Sequence, residues 1–342
     1  MRSTVFLLLF PLLFIACGTD PSTDSSSVEE GMKDLTIPEI EKRILADPAN
    51  ASLFALRAKA YERIDSTRLA VNDWGRAIML DSLNAHWRIG LGDLYFRKVK
   101  LPEAEEHFGA AIRLDPKGTE GLSKLSEVYL VQLRFKEAMA LANDALRIDP
   151  NDAELYNLKG WIHRTAGDTA LAISSYQTAV EQDPDYYDAL ISLGILHADR
   201  RNPLAIQYYD AALQVRPRSV EALYNKGIFA QEAGNDSVAL ACYARIKEIE
   251  PNYPLAFYNT GYVLLEHQQR VIDARREFAE AIKLLPDYTQ AYFSRGVTYE
   301  QEGILDSALL DYRQALRLDP SYTDAAMGLE RLQRKGLKVP AR

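Results

Sequence analysis

Histidine, cysteine and acidic side chains build most catalytic and metal sites, and this sequence scatters them along the chain. Its 342 residues include five histidines and two cysteines, Cys17 and Cys242. Neither a His-Glu-x-x-His nor a Cys-x-x-Cys spacing occurs, so the common zinc-binding motifs are missing. His163 and His197 are the one pair placed to share a metal, but both are better explained as packed residues with local hydrogen bonds. The sequence therefore predicts no catalytic residue, no metal and no cofactor.

The charge balance argues against a second class of function. Lys and Arg total 40 against 48 Asp and Glu, which gives a net charge of −8. Proteins that bind nucleic acid need clustered Lys and Arg for phosphate contacts, so nucleic acid is not an expected partner. Hydrophobic residues make up 47% of the chain, which is enough for most of it to fold in water.

The first residues are typical of an export signal. Arg2 precedes an almost wholly apolar run of 12 residues, Val5 to Ala16. A membrane-spanning helix needs about 20 apolar residues, so this run is too short to span a membrane stably. A basic start, a short apolar stretch and a small residue at its end together predict a secretory signal peptide over residues 1–16.

The segment Phe14–Cys17, which reads Phe-Ile-Ala-Cys, resembles the lipobox of bacterial lipoproteins. The resemblance implies cleavage before Cys17, which then carries a fatty-acyl anchor such as palmitate at the new N-terminus. Residues 17–35 are rich in Ser, Asp and Thr, so they are predicted to be a flexible linker. Gly18 favours the outer membrane, on its periplasmic or surface face, and the periplasmic face of the inner membrane is the alternative.

The remaining chain repeats one motif eight times. Proline or its equivalent recurs at steps of 34 residues, with one step of 33 and one of 35. If this proline is position 32, the units begin at Ala51, Ala85, Thr119, Ala153, Tyr187, Val220, Pro254 and Thr289. Position 8 is then Gly, Ala or Ser, and position 20 is always Ala. Position 24 holds Trp74, Phe108, Ala142, Tyr176, Tyr209, Tyr243, Phe278 and Tyr312.

This register resembles the tetratricopeptide repeat (TPR) family. The resemblance implies an all-α fold, a right-handed α-solenoid superhelix of about eight helix-turn-helix units over residues 49–320. An N-terminal capping helix is predicted over 36–48, and a C-terminal capping helix with a basic tail over 321–342. Stacking of the units supplies the core, because no unit buries its apolar face alone. The extra residue of the 35-residue step is predicted to lengthen the loop near Val271.

In TPR proteins, positions 2, 5, 9, 12 and 13 of each first helix line the concave groove. Here they are mixed and charged in the first four units and apolar or aromatic in the last four. Such side chains favour partner binding, although packing against the next unit is the alternative. The predicted partner-binding residues, which include two asparagines at position 6, are Ile191, Ile195, Tyr224, Asn225, Ile228, Tyr258, Asn259, Tyr262, Leu265, Phe293 and Val297.

The resemblance implies a non-enzymatic scaffold for protein–protein interaction, a membrane-anchored TPR lipoprotein of the bacterial cell envelope. Its partners are expected to be proteins that present extended or helical peptide segments to the concave groove. Acidic residues around the groove predict Lys or Arg in those segments. The alternative is an accessory or recruiting subunit of an envelope enzyme, or of a secretion, pilus or outer-membrane assembly machine.

Overall fold

A computed structural model describes residues 35–337 of the chain. In that range the regular structure consists of eighteen α-helices and one π-helical turn, without a strand. This confirms the predicted all-α fold. The signal peptide, Cys17 and nearly all of the predicted linker lie outside the described residues, as do the last five residues of the basic tail.

The chain divides into two compact units, of which the first ends at Asp168. Its described helices are α1 (Ile37–Ala46), α2 (Ala51–Arg63), α3 (Thr67–Leu80), α4 (Ala85–Arg97), α5 (Leu101–Leu114), α6 (Glu120–Val131), α7 (Phe135–Ile148) and α8 (Ala153–Thr165). Consecutive helices pack as pairs, α2 on α3, α4 on α5 and α6 on α7, and α1 packs on α2. At the start of α1, Thr36 and Glu39 form a reciprocal capping box.

The second unit begins at Thr169. Its helices are α9 (Thr169–Gln182), α10 (Tyr187–Asp199), α11 (Leu204–Val215), α12 (Val220–Glu232), α13 (Asp236–Ile249), α14 (Pro254–Tyr262), α15 (Val271–Leu284), α16 (Thr289–Gln301), α17 (Leu305–Leu318) and α18 (Thr323–Arg334). Here too consecutive helices pack as pairs, α10 on α11, α12 on α13, α14 on α15 and α16 on α17, and α18 packs on α17.

The aromatic residue at position 24 fills the space between paired helices. Tyr243 and Phe108 are completely buried. A Cβ atom on Gly227 would lie 2.7 Å from the Tyr243 ring, and one on Gly92 would lie 2.6 Å from the Phe108 ring. The ring of position 24 therefore packs on position 8 of its own unit, which explains why larger residues are excluded from that column.

Every first helix ends on a residue with left-handed backbone geometry. In seven of the eight repeats the next residue donates its amide to a carbonyl five positions earlier, as Ser66 does to Tyr61 at 2.8 Å, so these ends are Schellman motifs. In the seventh repeat Arg270 donates to Leu264, six positions earlier. Only three of the eight residues are glycines. The full set is Asp65, Val99, Leu133, Gly167, Arg201, Gly234, Gln269 and Gly303.

The extra residue of the seventh repeat lies inside a helix, so the prediction of a longer loop near Val271 is wrong. After α14 the chain continues as a π-helical turn over Val263–His267. Gln269 then takes the left-handed position that ends every first helix, and α15 begins at Val271. The left-handed residue is retained, while the hydrogen bond from the Arg270 amide to the Leu264 carbonyl spans one residue more than in the other repeats, so the additional residue is accommodated by the wider π-helical turn.

The basic residues after the last repeat are partly bound to the array. Glu300 is buried, and its carboxylate lies 3.0 Å from both the Arg331 guanidinium and the Lys335 ammonium. Tyr312 donates its hydroxyl to the same carboxylate at 2.7 Å. Despite its burial, these partners lower the pKa of Glu300. The ion pairs therefore fasten α18 to α16 and use two of the basic residues that follow the last repeat.

Candidate functional site

Three first helices of the second unit, α12, α14 and α16, carry a surface that we call the aromatic face. Its side chains occupy positions 5 and 9 of the repeat, one helical turn apart, so they lie on the same side of each helix. They are half-buried, except for Tyr262, which is 37% exposed. The aromatic face consists of Tyr224, Ile228, Tyr258, Tyr262, Phe293 and Val297.

Other predicted partner-binding residues lie elsewhere. Ile191 and Leu265 are only 5% and 3% exposed, and they pack into hydrophobic clusters of the second unit. Asn259 is only 6% exposed. These three side chains offer little surface to a partner in this structure, and their assignment to partner binding stays a prediction. Ile195 and Asn225 are half-buried and remain accessible.

Three further tyrosines, which the sequence pattern did not single out, pack against rings of the aromatic face. They stand at the N-cap positions of α14, α16 and α18, where none makes a side-chain capping hydrogen bond. Ring centroids lie 6.0 Å apart for Tyr224 and Tyr253, 4.9 Å for Tyr258 and Tyr288, and 5.5 Å for Phe293 and Tyr322. The rings therefore connect the start of each first helix to the preceding one. The available signal was the recurrence of tyrosine at positions where Ser, Asp or Asn is usual.

Burial keeps these phenols protonated. It raises the pKa of Tyr224 and of Tyr253 above the ordinary tyrosine value. The pKa of Tyr258 is also raised, first by burial and then by the nearby Tyr262 and Glu266. A hydrogen bond with Ser294 opposes that shift without cancelling it. At neutral pH the aromatic face therefore presents neutral hydroxyl groups and ring surfaces.

The groove positions around the aromatic face contain no positive charge. Positions 2, 5, 9, 12 and 13 of α10, α12, α14 and α16 include neither Lys nor Arg. The neighbouring cations are engaged elsewhere: Lys226 lies 2.5 Å from Asp210, and Arg295 lies 2.8 Å from Asp311. Apart from buried Glu300, the acidic residues at these positions are half-buried or exposed, namely Asp188, Asp199, Glu221, Glu232 and Glu266.

The corresponding positions of the first unit have a different chemistry. Lys59 and Arg63 are exposed on α2. On α4 and α6, burial raises the pKa values of Asp93 and Glu127, and Lys124 lies 3.2 Å from the Glu127 carboxylate. Cations and anions therefore neutralise each other here, without a continuous aromatic surface.

Reactive side chains do not converge in the described part of the chain. Residues 35–337 contain no group of three His, Cys, Asp or Glu side chains that could hold a metal ion. Cys242 is buried, and burial raises the pKa of its thiol. His197 stacks on Tyr208 with ring centroids 5.2 Å apart. Between residues 35 and 337, none of the helices has the length and apolarity that crossing a membrane requires.

Curated relatives share the repeats over part of their length. A probable UDP-N-acetylglucosamine–peptide N-acetylglucosaminyltransferase SPINDLY from Hordeum vulgare is 27% identical over 161 residues, 45% of this chain and 17% of that protein. Protein FlbA from Caulobacter vibrioides is 27% identical over 165 residues, 47% of this chain and 27% of that protein. The chain therefore spans less than a third of the length of either relative.

Solved structures show the same fold. The C-terminal part of a TPR protein from Cytophaga hutchinsonii superposes with a TM-score of 0.60 at 19% identity, covering 70% of this chain and 98% of that one. PilW, a type IV pilus biogenesis factor, gives a TM-score of 0.51 at 21% identity, covering 62% and 98%.

Models of the tetratricopeptide repeat match most of the array. One model matches residues 55–119 and 198–254, and three others match residues 100–162, 153–186 and 289–322. Together the matches extend over more than half of the chain, and the ranges 153–186 and 289–322 coincide with single units of the register that the proline and glycine columns predict. The chain belongs to the tetratricopeptide-repeat family.

Proposed function

We propose that this protein is a non-enzymatic scaffold of the bacterial cell envelope that binds peptide segments of partner proteins on its aromatic face. The observation that carries the proposal is the aromatic face itself. Half-buried Tyr, Phe and aliphatic side chains follow one another across three repeats, and the adjoining positions lack Lys and Arg. A contiguous apolar surface of this kind is typical of a binding site.

The arrangement of the rings suits an extended segment. Tyr224, Tyr258 and Phe293 occupy the same position in successive repeats, so a single segment lying across the helices contacts all three. Tyrosine offers a large contact area with few rotatable bonds, which limits the entropy lost on binding. Its contacts with neighbouring rings hold each side chain in place before the partner arrives, which reduces the cost of ordering.

Membrane attachment is part of the proposal and rests on the sequence. The lipobox-like segment that ends at Cys17 supports a lipid anchor, and the polar residues after it support a tether. Gly18 favours the outer membrane, and the periplasmic face of the inner membrane is the alternative.

A second candidate function is that of an accessory subunit that recruits an envelope enzyme or belongs to an assembly machine. It is motivated by the similarity to relatives that are named as peptide N-acetylglucosaminyltransferases, of which this chain spans only a small fraction. In this case the repeats position another protein's active site, and the aromatic face is still the contact surface.

The test compares partner recovery by in-cell crosslinking for two pairs of substitutions. Tyr262→Ala with Ile228→Ala removes accessible side chains from position 9 of α14 and α12, and Lys59→Ala with Arg63→Ala is the control on α2. We expect the first pair to reduce recovery at least tenfold, about 1.4 kcal/mol, and the control to leave it unchanged. If only the control pair loses partner recovery, the binding surface lies in the first compact unit, which ends at Asp168.

A further inference from the structure

The charge distribution around the aromatic face points to the chemistry of its ligand. We propose that the end of α14 and the π-helical turn after it bind a cationic side chain, arginine or lysine, of the partner segment between the ring of Tyr262 and the carboxylate of Glu266. The proposal rests on the proposed function, because it specifies which side chain the aromatic face selects.

Tyr262 ends α14, and Glu266 lies four residues later in the π-helical turn that follows it. Both side chains are exposed, and each adds to the raised pKa of Tyr258 after the larger effect of burial. The His267 ring meets the Tyr262 ring edge to face at 6.0 Å, and His267 Nδ1 lies 2.6 Å from the carboxylate of Asp236. Tyr262 is thus supported along one side and 37% exposed.

An exposed aromatic ring beside a carboxylate attracts a cation in two ways. The ring quadrupole favours a positive charge above the ring, and the carboxylate forms an ion pair with the same group. Glu266 lies within the π-helical turn, Val263 to His267, which begins directly after Tyr262. π-Helical turns occur frequently at functional sites, because the inserted residue changes where side chains project.

Charge complementarity favours a cationic ligand over a purely apolar one. Glu232 and Glu266 are exposed, and neither forms an ion pair with Lys or Arg in the described residues. An apolar segment covering these carboxylates would remove water without supplying a counter-charge, which costs free energy. A Lys or Arg in the segment supplies that counter-charge and displaces no cation of the protein itself.

The experiment uses the full chain and three pools of short synthetic peptides. In every pool most positions vary among Leu, Ile, Val, Phe and Tyr. The remaining positions are fixed as arginine in the first pool, citrulline in the second and glutamate in the third. Citrulline keeps the size and most hydrogen bonds of arginine but is neutral. We expect the arginine pool to bind at least about tenfold more tightly than the citrulline pool, with a difference that shrinks as salt is added.

Matched variants locate the cation site. Glu232→Gln with Glu266→Gln removes two charges next to the aromatic face, and Glu248→Gln with Glu280→Gln removes two exposed charges from the second helices α13 and α15. The first pair should weaken binding of the arginine pool at least about tenfold, whereas the second pair should leave it unchanged.

Three results would overturn the cation site: equal binding of the arginine and citrulline pools, no binding of the arginine pool, or equal effects of the two glutamate pairs. If the arginine and citrulline pools bind equally well, and Tyr262→Ala with Ile228→Ala abolishes that binding, the peptide-binding function still stands and only the cation site is refuted. Partner recovery in cells that is insensitive to Tyr262→Ala with Ile228→Ala refutes that function separately.

Discussion

Val99 provides a direct test of how the repeats end their first helices. It has a φ of 57°, in the left-handed region, and it is 67% exposed. A left-handed conformation costs an L-residue about 1–3 kcal/mol, and β-branched residues tolerate it poorly. Gly234 occupies the equivalent position in the sixth repeat, so the turn accommodates glycine without change. Replacing Val99 by glycine should therefore release strain.

The size of the effect follows from three contributions. Relief of about 2 kcal/mol of strain is opposed by the entropy of glycine in the unfolded chain, about 0.5–1 kcal/mol. Loss of the partly buried side chain removes a further ~0.5 kcal/mol, about a third of the value for full burial. Val99→Gly should therefore stabilise the array by roughly 0.5–1 kcal/mol.

The assay is urea unfolding, monitored by hydrogen exchange so that α4 and α5 are followed separately from distant repeats. Val131→Gly is the matched control, because it makes the same change at the right-handed end of α6 and should destabilise by roughly 0.5–1 kcal/mol. If both variants unfold at lower urea than the parent chain, release of left-handed strain does not determine the stability of these turns.

Two further predictions concern a buried ring and the anchor. Both nitrogens of His197 are buried without a hydrogen-bond partner in the described residues, so His197→Leu should stabilise the fold by about 1–3 kcal/mol in thermal unfolding. Burial and Arg200 lower the pKa of His197, so the folded state favours the neutral ring. Stability of the parent should then fall as the pH drops below about 6.5, more than in the leucine variant, and parallel pH profiles would contradict this account. Cys17→Ser should abolish incorporation of labelled fatty acid, and labelling that persists in the variant would exclude this residue as the anchor.

The repeat register predicted the helices because each column imposes a local physical constraint. Proline at position 32 disfavours helix, and small residues at position 8 accommodate the ring of position 24. The position of the extra residue in the seventh unit was not predictable in this way. No column constrains the stretch between Gly261 and Ala274, and Gln269 gives no glycine signal for the left-handed turn.

The candidate site was only partly predictable for a related reason. Positions 5 and 9 of α12, α14 and α16 lie on one side of each helix, as the repeat register implies, but exposure depends on the neighbouring side chains. Ile191 is covered by packing in the second unit, and Leu265 lies in the π-helical turn, where the regular helical spacing no longer applies. Tyr253, Tyr288 and Tyr322 were missed because helix starts usually select for capping oxygen atoms.

The acidity of the aromatic face follows from the way in which the fold uses its cations. Lys226, Arg295 and Arg331 come from first helices or from α18, and each pairs with a carboxylate of the array. Removing Asp311, which is buried, would leave the Arg295 guanidinium without its partner, and such a change costs stability. Removing Glu266 leaves no cation unpaired, so a change there alters the ligand preference while the fold is retained. The carboxylates beside the aromatic face can therefore be substituted without loss of the fold, whereas the charged residues that join the helices cannot.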